Sequence, residues 1–231
     1  MFNNRFQSGV INQPYSFPQP MTQETFFSKV MTFFGLSLIA AALGSWISWN
    51  WGPAVFSPAL IAEFAFLLSV IFIRSSQELR ALFFILFSTA SGIVLVPLLR
   101  QAVAVGGPQI LMNALGTTGV TFFGLSLYAL RSGKDFSYLR GVLFAGLIGL
   151  FIAGFLQFFF SSPEFTMVYS VAGVLLFSGF VLYDMSRIQR RHADNQYIDA
   201  ALALYLDFLN LFIFILQLFM GNGRRRGGGW S

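Results

Sequence analysis

The chain has 231 residues, of which 56% are hydrophobic and only 10% charged, against about 25% charged in ordinary soluble domains. With 30 Phe against 14 Lys+Arg and 9 Asp+Glu, the polar side chains cannot wet the surface of a soluble domain, and the composition equally excludes a disordered chain. There is no Cys and a single His, His192, which excludes disulfides, thiolate chemistry and a His-built metal cluster. The remaining class is a polytopic membrane protein whose solvent is the lipid bilayer. The net charge of +5 lies mostly between apolar runs, so it reads as a topology signal and no nucleic-acid partner is expected.

Residues 1–25, with Asn3, Asn4, Pro14, Pro18 and Pro20, show no periodicity and read as a flexible cytoplasmic tail. The first apolar run, 26–49, is longer than the apolar core of a signal peptide and long enough to span a bilayer. Six further runs follow at about 54–74, 81–99, 109–130, 141–160, 165–188 and 199–220. Gly52-Pro53, Gly106-Gly107-Pro108 and Ser161-Ser162-Pro163-Glu164 punctuate them. Hydrocarbon offers no partner for free amides, so runs of this length must be helices. The expected fold is all-α, with a seven-helix domain over 26–220 and a basic, Gly-rich tail over 221–231.

Lys and Arg set the orientation. Arg5 and Lys29 precede or open span 1; Arg74 and Arg80 follow span 2. Arg131, Lys134 and Arg140 follow span 4, and Arg187, Arg190 and Arg191 follow span 6. Among the opposite loops only Arg100 is basic, so the N-terminus is expected in the cytoplasm. Arg224–Arg226 conflict with this, since seven spans put them outside; the alternative is a re-entrant last run with an inside tail. Trp46, Trp49 and Trp51 read as an interfacial belt. Two small-residue stripes read as helix-packing faces: Ser37, Ala41 and Ser45 in span 1, and Gly141, Ala145, Gly149 and Ala153 in span 5.

Ionisable residues at bilayer depth cost about 2.5–3.5 kcal/mol on insertion scales and mark function by default. Glu63 lies in mid-span 2. Arg74, eleven residues later, falls within about 20° of the same helical face, about 16 Å further along the axis. Asp184 lies near the end of span 6 and Asp207 about two turns into span 7. The polar connection between those spans makes a hairpin, so the two aspartates face each other at similar depth, with Arg74 placed on the same side. Two carboxylates in one poorly hydrated site titrate as a coupled dyad, and a nearby arginine pulls one into an ion pair. Asp207, Asn210, Phe214 and Gln217 fall within about 80° on the last helix, a polar stripe suited to a pore or cavity. Hard cations such as Ca²⁺ want several oxygen ligands, some of which Asp184, Asp207 and Asn210 would supply. Capping or pairing with Arg187, Arg190 or Arg191 is the plainer alternative for the two aspartates.

At these residues the sequence resembles the Bax inhibitor-1 family of membrane proteins, in its bacterial branch. The matching segments are Leu182-Tyr183-Asp184, the run Ala203 to Phe212, Phe122 to Ser126 with Lys134 to Ser137, and Ser91-Gly92 to Pro97. The resemblance covers about residues 26–223. It implies seven helices with the last one central and surrounded by the other six, in a bacterial cytoplasmic (inner) membrane. It further implies a pH-sensitive Ca²⁺ leak, with Asp184 and Asp207 as proton sensor and ion site. Arg74 matches the arginine that latches the closed state, and Glu63 a further acidic site on the permeation path. Met185 departs from the Thr many members carry there, removing a hydroxyl ligand.

No enzyme and no cofactor are expected, Ca²⁺ entering as a permeating or bound ion. An intramembrane aspartyl protease would share the Tyr183-Asp184 pattern, but Asp207 lacks the Gly-x-Gly-Asp setting such enzymes carry. A proton/Ca²⁺ antiporter is a near variant. The remaining alternative is an interaction protein, with a membrane partner, that modulates a protease or a stress or death pathway without ion flux.

Overall fold

The computed structural model describes residues 22–73, 76–157, 159–160, 162–190 and 196–227, with side chains to 221. Seven helices follow one another: α1 Gln23–Ile47, α2 Phe56–Phe72, α3 Gln77–Gly106, α4 Pro108–Ser132, α5 Arg140–Leu156, α6 Pro163–Arg190 and α7 Tyr197–Gly227. Short 3₁₀ turns at Ser48–Asn50, Pro53–Val55 and Ser137–Leu139 fill connections, and there is no strand among the described residues. All seven helices, some with an adjoining 3₁₀ turn, are long and apolar enough to cross a membrane. Polar residues start several of them. Thr22 and Ser76 accept hydrogen bonds from the amides of Thr25 and Leu79, satisfying donors that a helix start leaves free. Gly107, at φ +69°, makes the reversal from α3 into α4, with Pro108 at the first turn of α4.

α7 is the axis of the bundle. It packs directly against α1, α3, α4 and α6, whereas α2 and α5 complete the ring from behind α3 and α6. The outer position of α2 and α5 fits their exposed apolar side chains, among them Ile61, Phe64 and Phe72 on α2 and Val142, Phe144 and Phe151 on α5. Such surfaces are lipid-facing in a membrane fold. The end of the bundle where α6 finishes and α7 begins is referred to below as the hairpin end. Contacts such as Gln23 to the Gln189 carbonyl and Gln189 to the Leu130 carbonyl join α1, α6 and α4 there.

The span 1 stripe is a packing face, with Ser37 fully buried against the bundle. The tightest approach there is made by glycines: a Cβ on Gly44 would strike the Thr89 carbonyl, and one on Gly92 the Ala41 carbonyl. α1 and α3 therefore run backbone against backbone. The span 5 stripe is a correction. Gly141, Ala145 and Gly149 are exposed, and neither glycine has a neighbour at its missing Cβ. α5 instead turns Leu143, Gly146, Leu150 and Gly154 towards α6, where the Leu176 and Tyr169 side chains fill the space at the two glycines. Large apolar residues on both faces of α5 left its small-residue spacing ambiguous.

Several boundaries also differ: α3 is longer at both ends than the expected 81–99, and α5 stops at Leu156. α2 ends at Phe72, two residues short, because Ser76 already caps α3. α7 runs unbroken to Gly227, which removes the re-entrant reading of the last run.

Candidate functional site

α6 and α7 form an antiparallel pair, and the residues that face each other change in character along it. Ser170, Gly173, Phe177 and Asp184 recur at spacings of three, four and seven on α6, which holds one helical face towards its partner. Opposite them α7 presents Gln217, Phe214 and Asp207. At the hairpin end of this seam the side chains of Asp184 and Asp207 face each other, closely enough to interact as charges. They are 9% and 4% exposed, and Asp207 Oδ2 is buried without a hydrogen-bond partner. In the middle, the Phe214 ring fills the notch left by Gly173. It stacks on Phe177 at 5.8 Å and meets Tyr169 edge-on at 5.3 Å. At the other end the Ser170 hydroxyl donates to Gln217 Oε1 at 3.0 Å. Asn210 donates its side-chain amide to the Leu206 carbonyl of its own helix at 2.7 Å.

Beyond Gln217 the seam opens into a cavity of about 750 Å³ at the end of the bundle away from the hairpin. Gln101, Gln157, Glu164, Thr166 and Met220 line it with Gln217.

Glu63 is not on this seam. It is half-buried on α2, where the Ser91 hydroxyl of α3 donates to its Oε1 at 2.7 Å. The Tyr205 ring of α7, fully buried between Phe84 and Phe87, brings its hydroxyl beside Ser91 and the Glu63 carboxylate and towards the Ser88 carbonyl. Tyr205 and Asp207 are two residues apart, about 200° around a helix, so the two polar clusters lie on opposite faces of α7. Among the residues expected to line one path, the structure thus sets Glu63 apart from Asn210 and Gln217. α2 packs on α3 rather than on α7, which the sequence of α2 alone does not reveal.

Arg74 lies outside the described residues. Six residues further on, at the start of α3, stands Arg80. It is 4% exposed, donates through Nε to the Val70 carbonyl at the end of α2, and pairs through Nη2 with Asp199 at the start of α7. One guanidinium therefore ties α2, α3 and α7 at the hairpin end. Arg190 pairs with Asp135 at 3.3 Å and donates to the Gly133 carbonyl at 2.8 Å, fastening the α4–α5 connection to α6. Asp135 also accepts from the Ser137 amide; these contacts, the Ser137 amide first, hold its carboxyl below the usual carboxylate range. At the opposite end Arg100 donates to the Trp51 carbonyl and lies over the rings of Trp49 and Phe56, so this cation is spent on fixing the α1–α2 connection.

Ser170, Gly173, Phe177, Ser91, Tyr205 and Asp199 are the participants that charge-in-hydrocarbon reasoning passes over. The three-four-seven spacing on α6 is the signal that would have found the first three.

Residues 23–225 match the family described as inhibitor of apoptosis-promoting Bax1. An uncharacterised protein of Helicobacter pylori is 35% identical over 197 residues, covering 84% of this chain and 85% of its own. Protein lifeguard 4 of Mus musculus is 34% identical over 166 residues, 70% of this chain and 68% of its own. The Golgi anti-apoptotic protein of vaccinia virus (strain Lister) is 37% identical over 110 residues, 48% of this chain and 46% of its own. With its seven membrane-spanning helices and a match over nearly its whole length, the chain belongs to the Bax inhibitor-1 family of multi-pass membrane proteins.

Proposed function

We propose that the protein is a pH-sensitive cation leak channel, with Ca²⁺ as its cargo and the Asp184–Asp207 pair as its proton sensor. The observation that carries the reading is the meeting of two buried carboxyl groups, Asp184 of α6 and Asp207 of the axial helix α7. Carboxyls so placed share protons as a unit, so one protonation event changes the force between α6 and α7. Uptake or loss of that proton is the switch. The pair supplies too few oxygens to saturate Ca²⁺, which takes six to eight. Buried Met185 adds none. That favours a cation in passage over one in residence.

Arg74 is the counter-ion of the closed state in this reading, and Arg80 braces the same end of the bundle. Glu63 is a second acidic site, held ready by Ser91 and reached separately from the dyad. The described cations of the bundle gather at the hairpin end, with Arg100 and the C-terminal Arg224–Arg226 at the other. This supports a hairpin end, and an N-terminus, in the cytoplasm of a bacterium, with the inner membrane as the site of action.

The test is Ca²⁺ entry into sealed proteoliposomes holding a Ca²⁺ indicator, followed across neutral pH. A protein-dependent, pH-dependent downhill flux is expected. Uphill accumulation driven by an imposed proton gradient would identify an antiporter instead. Absence of any flux would leave the interaction reading, which the name of the vaccinia relative favours.

A further inference from the structure

The seam between α6 and α7 has three layers, and the middle one is built of aromatic rings, with the Tyr169 hydroxyl carried away to Gly154 of α5. On the side away from the hairpin, the cavity ends on Gln217 and its bond to Ser170. Its volume of about 750 Å³ exceeds the roughly 180 Å³ that six waters around a cation occupy at about 30 Å³ each. A hydrated cation therefore has room to enter. The next layer is Phe214, 5% exposed, with its ring set in the Gly173 notch and covered by Phe177 and Tyr169. The dyad lies beyond it, seven residues or about 10 Å along α7. An ion in this layer would lose its water and, with the Tyr169 hydroxyl set against α5, meet ring faces in exchange, a barrier that desolvation makes steep.

We propose that Phe214, seated on Gly173 and clasped by Phe177 and Tyr169, is the plug that separates a hydrated outer vestibule from the Asp184–Asp207 pair. The assignment rests on the leak-channel reading and adds to it the place where the path is shut. Gly173 is the positioning residue: only a residue without a Cβ leaves the ring that seat. A ring held by aromatic neighbours and no hydrogen bond can leave when α6 and α7 shift, which is the motion a change of charge on the dyad would drive.

The absence of Cys from the chain makes the test direct. Single cysteines are placed at Gln217 and at Asn210, and the protein is held in nanodiscs so that both faces are open. The probe is a membrane-impermeant trimethylammonium-ethyl methanethiosulfonate. Gln217→Cys is expected to react and Asn210→Cys to be protected. Adding Phe214→Ala should abolish the protection at Asn210→Cys and leave Gln217→Cys reactive, the latter confirming that the variant is folded. If Phe214→Ala does not fold, Phe214→Leu, which removes the ring but keeps an apolar side chain, should show a partial loss of protection. Asn210→Cys equally reactive with and without the ring, or equally protected in both, overturns the plug. The outcome does not depend on transport. A wild type without Ca²⁺ flux would defeat the leak reading while labelling still decided whether Phe214 seals the seam. In a protein that does leak, Phe214→Ala should also raise the basal flux.

Discussion

Arg80 is a cation at 4% exposure whose only charge partner among the described residues is Asp199, itself 43% exposed at its side chain. Water reaches one half of the pair, so it is worth less than the ~3–5 kcal/mol at stake when a fully buried pair is broken. Asp199→Asn keeps the shape but removes the charge, and should cost about 1–2 kcal/mol. A lowered melting temperature in detergent is the readout, with a smaller salt dependence than wild type. Asp135 makes a prediction with a definite sign in pH. Its carboxyl is held low by the Ser137 amide and Arg190, so its contribution is complete above the ordinary carboxylate range. It is lost as pH falls through the depressed folded value. Hydrogen exchange over residues 133–139, corrected for intrinsic rates, should rise on acidification in the wild type. Asp135→Asn should show the raised exchange already at neutral pH and little further change. Asp184 and Asp207 stood out in the sequence because a carboxylate inside an apolar run is costly and therefore rare. Tyr205, Ser91 and Gly173 did not, because a tyrosine, a serine and a glycine cost nothing in such a run until their partners on other helices are known.

At the scale of elements, the seven helices were legible from length and hydropathy, since a bilayer admits few other solutions for apolar runs of this length. Which face of each helix turns inward was legible only in part. On α1 the small residues pointed correctly to a packing face; the structure sets α3 against it, and Gly44 and Gly92 explain how near the two backbones come. On α5 the same kind of stripe faces outward, because apolar character on every side leaves period alone to choose a face. The α1–α3 contact makes its own prediction. Gly92→Ala introduces a Cβ against the Ala41 carbonyl, with backbone on both sides and nothing flexible to yield. Overpacking of this kind costs about 1–3 kcal/mol. Gly149→Ala, with open space at its Cβ, should leave the melting temperature unchanged, so the pair of variants separates a packing effect from the loss of glycine itself.

On the scale of the whole molecule, α7 is a central rod with a different chemistry on each side. One side carries Tyr205 towards Ser88, Ser91 and Glu63; the other carries Asp207, Phe214 and Gln217 towards α6. α7 touches four neighbours, and the dyad sits where it is held to α6. The central claim is that protonation of this pair sets the permeability of the bundle. The measurement that tests it most directly is Ca²⁺ flux into proteoliposomes across neutral pH, wild type against the double variant Asp184→Asn/Asp207→Asn. The account predicts that the variant loses the pH dependence of the flux. A variant whose flux and pH profile match those of the wild type would contradict it.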